Sequence, residues 1–376
     1  MRVLIINSEF PPIGGGAGNA GAFIASSLAK RGHPVFVVTS RYRNMPRTEQ
    51  QNNGVTIYRV PALRRRQDRS GALEQIIFIL SASFQTLRLV RHIKPNATLA
   101  FFGVPSGAVA YFTKMICNIP YIVSLRGGDV PGFRPYDFRV YHKLIAPFLR
   151  VIWKNASAIV ANSEGLRGLA LQFDSRFEIP VIPNGVDFEL YRTDERDWSS
   201  PRLFSAGRIV HQKGLDLALR ALAGLKDLDW EWRIAGDGPQ MEALKTLANE
   251  LEISQRVEFI GWQGRDDLIE QYRRANLFLF PSRHEGMPNA VLEAMASGLP
   301  VIASKISGNE ELVVDWETGF LFPSEDVSLL HVALKRLLND SVLRQKMGSA
   351  SRRRVEERYS WENTAQQYAL LLENAK

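Results

Sequence analysis

Residues 280–298 read Phe280-Pro-Ser-Arg-His-Glu-Gly-Met-Pro-Asn-Ala-Val-Leu-Glu-Ala-Met-Ala-Ser-Gly298. The apolar run Leu277–Phe280 in front of them has the length and composition of a buried strand, and Pro281 ends it. Gly286 permits a tight loop, and Pro288 suits the first turn of a helix. From 290 to 297 the residues are helix formers, nearly all apolar, with Glu293 set among Val291, Leu292, Met295 and Ala296. A strand, a loop with an acid in it, and an apolar helix make half of a βαβ unit.

The same unit recurs in both directions. Upstream, strands at 203–206, 231–235 and 257–260 alternate with helical patterns at 214–225, 241–252 and 266–274, and a strand at 300–303 follows. An earlier series has strands at 3–6, 35–39, 98–102, 121–125 and 158–161, with helices at 20–31, 73–93 and 106–116. Alternating β and α elements imply parallel sheets covered on both faces. With 376 residues, the chain is read as two doubly wound α/β domains: 1–186, a polar linker at 187–200, then 201–360. The tail from 327 is nearly all helical, with breaks near Asp340 and Ser360, and 361–376 forms a last helix.

Composition narrows the class. Apolar residues are 45% and charged residues 23%, ordinary for a globular protein. Cys117 is the single cysteine, which rules out an internal disulfide and fits a reducing compartment. Glu9 interrupts the opening apolar run, so no secretory leader is read. The charge is uneven. Residues 1–185 hold 23 Lys/Arg against 9 Asp/Glu, and residues 186–376 hold 24 against 30. A basic first half fits an anionic membrane better than nucleic acid, because no aromatic-interleaved basic strand and no zinc spacing accompany it; a merely soluble basic surface is the bland alternative. Helix 73–93 has an apolar end with Ile76 to Leu80 and Phe84, and a basic end with Arg88, Arg91 and Lys94. With Arg64-Arg-Arg66 it reads either as a membrane-surface element or as a core helix with a basic end.

Open parallel sheets bind ligands beyond the carboxyl ends of their strands, and the chemistry-bearing residues fall there. After the first strand, Gly14-Gly-Gly-Ala-Gly-Asn-Ala-Gly21 contains G-x-G-x-x-G. Residues 8–13 separate it from the strand, and the second strand runs into Ser40-Arg41 with no ribose-binding acid. Arg41 leaves an NADP reading open. The favoured reading is a glycine loop whose amides meet another phosphate ligand at the start of helix 20–31, against a plain flexible turn. Arg208 leaves the strand at 203–206 and Lys213 follows five residues later, two cations suited to a diphosphate. Glu293 in its apolar helix needs donors, which a ribose diol would supply, or else it is a salt-bridge partner or cap. The open amides near Asn289 and Ala290 suit a phosphate or sugar hydroxyl. Asp227-Leu-Asp229 matches D-x-D but precedes a strand, and is read as a solvated turn; no metal site is expected.

Glu285-x7-Glu293, with Gly207-Arg208…Lys213-Gly214, Asn184-Gly-Val-Asp187, Gly236-Asp-Gly-Pro239 and Gly308-Asn-Glu-Glu311, resembles the retaining nucleotide-sugar glycosyltransferases of the GT-B fold. More narrowly, it resembles the bacterial hexosyltransferases that build polysaccharides and glycolipids. The resemblance covers nearly the whole chain. It implies two Rossmann-like domains facing a cleft, with the last helix crossing back to the N-terminal domain. It implies a metal-independent, cofactor-free, cytoplasmic enzyme that moves a hexose from a UDP- or GDP-sugar to a glycan or lipid-linked acceptor; the basic first half adds a peripheral place at the inner face of the membrane.

By residue, Arg208 and Lys213 would stabilise the departing diphosphate, Glu293 would hold the ribose, and Glu285 would contact the donor sugar. Gly15 or Gly16 would approach the diphosphate, and Gly261 and Trp262 would lie near the base. Where many relatives carry His-Gly, this chain has Ser124-Leu-Arg-Gly-Gly-Asp129. Arg126 is assigned either to the donor phosphate or to an anionic acceptor, and Asp129 to an acceptor hydroxyl proton. Alternatives are a starch- or sucrose-type synthase or an epimerase of the same fold, an NADP oxidoreductase, and a non-catalytic nucleotide-sugar-binding paralogue.

Overall fold

The computed structural model describes residues 1–66, 70–133, 135–192 and 196–375; part of the expected linker, 193–195, lies outside them. The chain divides into two compact units, one comprising Met1–Gly185 and the segment from Trp361 on, the other Val186–Ser360.

The first unit has strands β1 (Val3–Ile6), β2 (Val35–Arg41), β3 (Thr48–Gln50), β4 (Val55–Pro61), β5 (Ala97–Phe101), β6 (Tyr121–Ser124) and β7 (Ala158–Val160). They lie in the order β3-β4-β2-β1-β5-β6-β7, parallel except for β3 on β4. Helices α1 (Gly16–Lys30), α2 (Ala72–Ile93), α3 (Gly107–Cys117), α4 (Pro135–Asn155) and α5 (Glu164–Phe173) connect them. Strand alternation sorts the core: Val3 and Ile5 pack with Ile24 and Leu28 of α1, while Leu4 and Ile6 pack with Phe78 of α2, Val109 of α3 and Leu149 of α4. The strand order reverses at β1, flanked by β2 and β5, where such sheets open a ligand crevice.

The second unit has β8 (Arg202–Ala206), β9 (Glu231–Ala235), β10 (Val257–Gly261), β11 (Leu277–Phe280), β12 (Val301–Lys305) and β13 (Gly319–Pro323), ordered β10-β9-β8-β11-β12-β13 with every pair parallel. Its helices are α6 (Leu215–Ala223), α7 (Met241–Glu250), α8 (Arg265–Arg274), α9 (Asn289–Ala296), α10 (Ser307–Glu310), α11 (Val327–Asn339) and α12 (Ser341–Arg358). Leu203, Ile234 and Leu279 face α6, α7 and α11; Phe204, Phe278 and Phe280 face α8, α9 and α12. Here the order reverses between β8 and β11, whose carboxyl ends carry Gly207-Arg208 and Pro281–Gly286.

The last helix, α13 (Trp361–Glu373), belongs to the first unit and covers the sheet beside α1. Trp361 stacks on Phe23 with centroids 4.9 Å apart, Thr364 donates to the Pro183 carbonyl at 2.9 Å, and the Tyr368 and Ser124 hydroxyls meet at 2.7 Å.

Two sequence expectations change. The helix expected at 20–31 begins at Gly16, so Gly16, Gly18 and Gly21 are helical and the open amides of the helix start fall at Gly15 and Gly16, ahead of Ala20. Its glycines answer to packing: a Cβ on Gly18 would meet the Ile13 carbonyl at 3.0 Å, and one on Gly21 would meet Asn7 Nδ2 at 2.5 Å. The basic triplet is also not a uniform surface feature. Arg64 is buried, with Nη1 donating to the Ser8 carbonyl at 3.3 Å and Nε to that of Arg66 at 3.0 Å.

Candidate active site

Gly207 follows β8 at φ 146°, and Gly214 stands at φ 62° after a short 3₁₀ turn, His211–Lys213. Gly214 leaves no space for a Cβ against the Pro281 carbonyl, so the turn after β8 lies directly on the loop after β11. Arg283 locks the two together. It donates to both Asp216 oxygens at 2.8 and 2.9 Å, to the His211 carbonyl at 2.7 Å and to Glu325 at 2.5 Å. The Asp216 pairing keeps the guanidinium firmly charged despite burial, with Glu325 adding to it.

That frame brings two of the sequence-predicted residues into contact. Lys213 Nζ lies 2.6 Å from Glu285 Oε1, over the Phe280 ring at 4.7 Å. Ser282 donates to the same carboxylate oxygen at 2.8 Å. The lysine side chain is 19% exposed and the glutamate 11%, so both are largely withdrawn from water while still reachable. From behind, α10 braces the loop: a Cβ on Gly308 would strike the Gly286 and Glu285 carbonyls.

Arg208 borders the same shallow depression as Gly207, Lys213, Phe280 and Pro281. It is exposed, and its guanidinium has no hydrogen-bond or ion-pair partner among the described residues. One cation is held by a carboxylate and a second is left open, an arrangement whose chemistry suits an anion.

Glu293 makes no hydrogen bond or ion pair with Arg208, Lys213 or Glu285. It accepts from the Tyr272 hydroxyl at 2.9 Å on Oε2 and from that of Tyr191. Tyr272 is fully buried, edge-on to Phe204 and Tyr191. Burial pushes the Glu293 carboxyl up to about 7, against the two tyrosine hydroxyls and Arg265. The donors this acid required are thus supplied partly from within. No sequence signal marks Tyr191; Tyr272 could have been suspected only as an aromatic on the apolar face of α8.

Asn289 and Ala290 open α9 and are half-buried. Gly261 ends β10 at φ 69°, its carbonyl accepting from the Gly236 amide at 2.7 Å, and Trp262 after it is 75% exposed. In the first unit, Gly15 is the N-cap of α1, exposed together with Gly16; a Cβ on Gly15 would meet nothing within 4 Å.

The residues assigned to the acceptor side differ in fate. Asp129 is buried, and its oxygens accept from the amides of Gly103, Arg126 and Gly127 at 2.7, 3.0 and 3.1 Å. Burial raises its carboxyl, against those amides. With both oxygens engaged it shapes the loop after β6. Arg126 lies over Phe101 at 4.4 Å and donates to Asn184 at 2.7 Å and to the Tyr368 hydroxyl at 3.3 Å. It is half-buried at the carboxyl edge of the sheet.

Two Rossmann-like sheets, with a cation pair and an acid at the carboxyl ends of the second, define a glycosyltransferase of the GT-B class. A family model described as glycosyl transferases group 1 matches residues 192–354, and one described as a glycosyl transferase 4-like domain matches residues 15–185. The chain belongs to this group-1, family-4-like glycosyltransferase family. It is similar to an uncharacterized glycosyltransferase of Methanocaldococcus jannaschii, at 24% identity over 98% of this chain and 96% of the relative. Among solved structures, sucrose-phosphate synthase from Thermosynechococcus elongatus superposes with a TM-score of 0.87 at 21% identity, over 100% of this chain and 98% of the other. The Anabaena protein HepE in complex with UDP-glucose gives 0.79 at 20% identity, over all of both chains.

Proposed function

We propose that this glycosyltransferase takes a hexose from a UDP- or GDP-sugar and transfers it, with retention, to a glycan or lipid-linked acceptor in polysaccharide or glycolipid synthesis. The observation that carries the donor assignment is the unpartnered Arg208 beside a Lys213 held by Glu285 in one depression. Glycosyl transfer builds positive charge on the sugar and negative charge on the leaving phosphate. Fixed cations aimed at that phosphate are the main lever, each worth on the order of 10²–10³ in rate where such donors have been removed. Arg208 and Lys213 take the diphosphate without a metal. Displaced from Lys213, Glu285 accepts from donor-sugar hydroxyls, while Ser282 continues to orient it. Glu293 receives the ribose hydroxyls, with Asn289 and Ala290 at the helix start alongside, and Gly261 and Trp262 border the base. Retention follows from a front-face, ion-pair-like substitution in which the donor phosphate accepts the acceptor's proton. The single cysteine fits a cytoplasmic setting.

Thermal unfolding with UDP, GDP, ADP and their sugars tests the donor. A true ligand at about a hundredfold over its Kd adds roughly 2.7 kcal/mol of stability. The expected result is stabilisation by one nucleoside diphosphate and its sugar, retained in Glu285→Ala, which loses transfer. Stabilisation by NADPH alone, or full turnover in Glu285→Ala, overturns the proposal.

A further inference from the structure

The outer face of one helical layer is apolar where a water-facing surface should be polar. In the first unit, α2, α3 and α4 cover the same side of the sheet. They are held side by side: Tyr141 donates to Gln75 at 3.3 Å, and Lys114 donates to the Asn155 carbonyl at 2.8 Å. Of the twelve large apolar side chains exposed in this unit among the described residues, ten lie on these three helices, each 40 to 76% exposed. They include Leu80 and Phe84 on α2, Met115 and Ile116 on α3, and Val140 and Leu144 on α4. The layer on the other side, α1 with α13, contributes one, Leu370. A patch shared by three helices is a docking surface in the usual run of proteins, whereas scattered single residues are not.

Charge identifies the occupant. The three helices hold seven Lys/Arg and two Asp/Glu. Arg88 and Arg91 follow Phe84 by four and seven residues on its own stripe of α2, and Lys94 stands just beyond. Arg139, Lys143 and Lys154 border the α4 stripe. All six are exposed, and none forms an ion pair among the described residues. A second copy of this surface would bring cations against cations.

We propose that this face of α2, α3 and α4 docks flat on an anionic phospholipid bilayer, its apolar side chains in the acyl boundary and its cations among the headgroups. α2 lies in the interface and does not span it. By length and a mean hydropathy of 1.3 it would suffice to cross, but Phe78, Ala82, Thr86 and Leu89 on its inner side are part of the core. The inference stands apart from the identity of the sugar donor.

The test is co-sedimentation of the full chain with vesicles of phosphatidylcholine, alone or with about one quarter phosphatidylglycerol. Binding is expected only to the anionic vesicles, with release at high salt. Leu80→Ser with Phe84→Ser, and separately Arg88→Glu with Arg91→Glu, should each lower partitioning about tenfold or more. Thermal midpoint and nucleotide binding should not move, because these side chains are exposed. Failure to pellet with anionic vesicles, equal pelleting with neutral ones, or wild-type binding by both double variants overturns the proposal. So does self-association in solution that Leu80→Ser with Phe84→Ser abolishes, which would seat a second copy there.

Discussion

Replacing Glu293 with glutamine should make the unliganded protein more stable at alkaline pH while making it a poorer nucleotide binder. Burial raises this carboxyl from an ordinary 4.5 to about 7, so the folded state holds a proton that the unfolded chain releases earlier. Below about pH 4.5 both states are protonated and the group is silent. Between about 4.5 and about 7 the unfolded chain ionises first, and each pH decade removes about 1.4 kcal/mol from stability. Above about 7 the loss levels off at roughly 3 kcal/mol. Glutamine does not titrate, and its carbonyl can still accept from Tyr272, so the variant escapes the loss. Urea unfolding of the unliganded wild type and Glu293→Gln at about pH 5 and about pH 8 measures this. The variant should gain roughly 2–3 kcal/mol relative to wild type across that interval. Calorimetry with the nucleoside diphosphate at the higher pH should show weaker binding by the variant. A relative stability that stays flat within about 0.5 kcal/mol, or a wild type that gains on the variant as pH rises, refutes the reasoning.

Arg208→Ala removes a side chain with no partner among the described residues, so stability should hold within about 0.5 kcal/mol while donor affinity falls at least tenfold by calorimetry; a large drop in thermal midpoint would give Arg208 a structural task. The glycines before and within α1 should separate cleanly. Gly15→Ala has open space and should be neutral, whereas Gly21→Ala drives a methyl into Asn7 and should cost about 1–3 kcal/mol in chemical denaturation; equal effects at the two positions would contradict the packing assigned to this helix.

What could be read from sequence followed the strength of the local pattern. β11 is legible residue for residue, since Leu-Phe-Leu-Phe between Asn276 and Pro281 has few alternatives. β4 is not legible because Thr56, Tyr58 and Arg59 dilute its apolar run; the buried Arg59 is satisfied by Glu49 at 2.7 Å on the neighbouring β3 and by the Pro11 carbonyl at 3.3 Å. α4 was missed because it carries Pro147 and many charges, and its apolar side is split between the core and an exposed stripe. The start of α1 was misplaced because glycine disfavours helix locally, and only the approach of Asn7 and Ile13 explains its presence. At the site, Lys213 and Glu285 could be named from their strand ends, but not their contact with each other, which depends on Gly214 and Arg283. Sequence likewise does not reveal that three backbone amides engage the Asp129 carboxylate.

The return of α13 to the first unit gives the chain a definite order of completion. Synthesis releases the whole Rossmann-like unit from β1 to β7 while the seats of Trp361, Tyr368 and Leu372 beside α1 are still bare. The second unit, being contiguous, can finish on its own as it leaves the ribosome. The first must wait with an apolar face uncovered through the translation of some 175 further residues, and that interval is when the nascent chain most needs a chaperone.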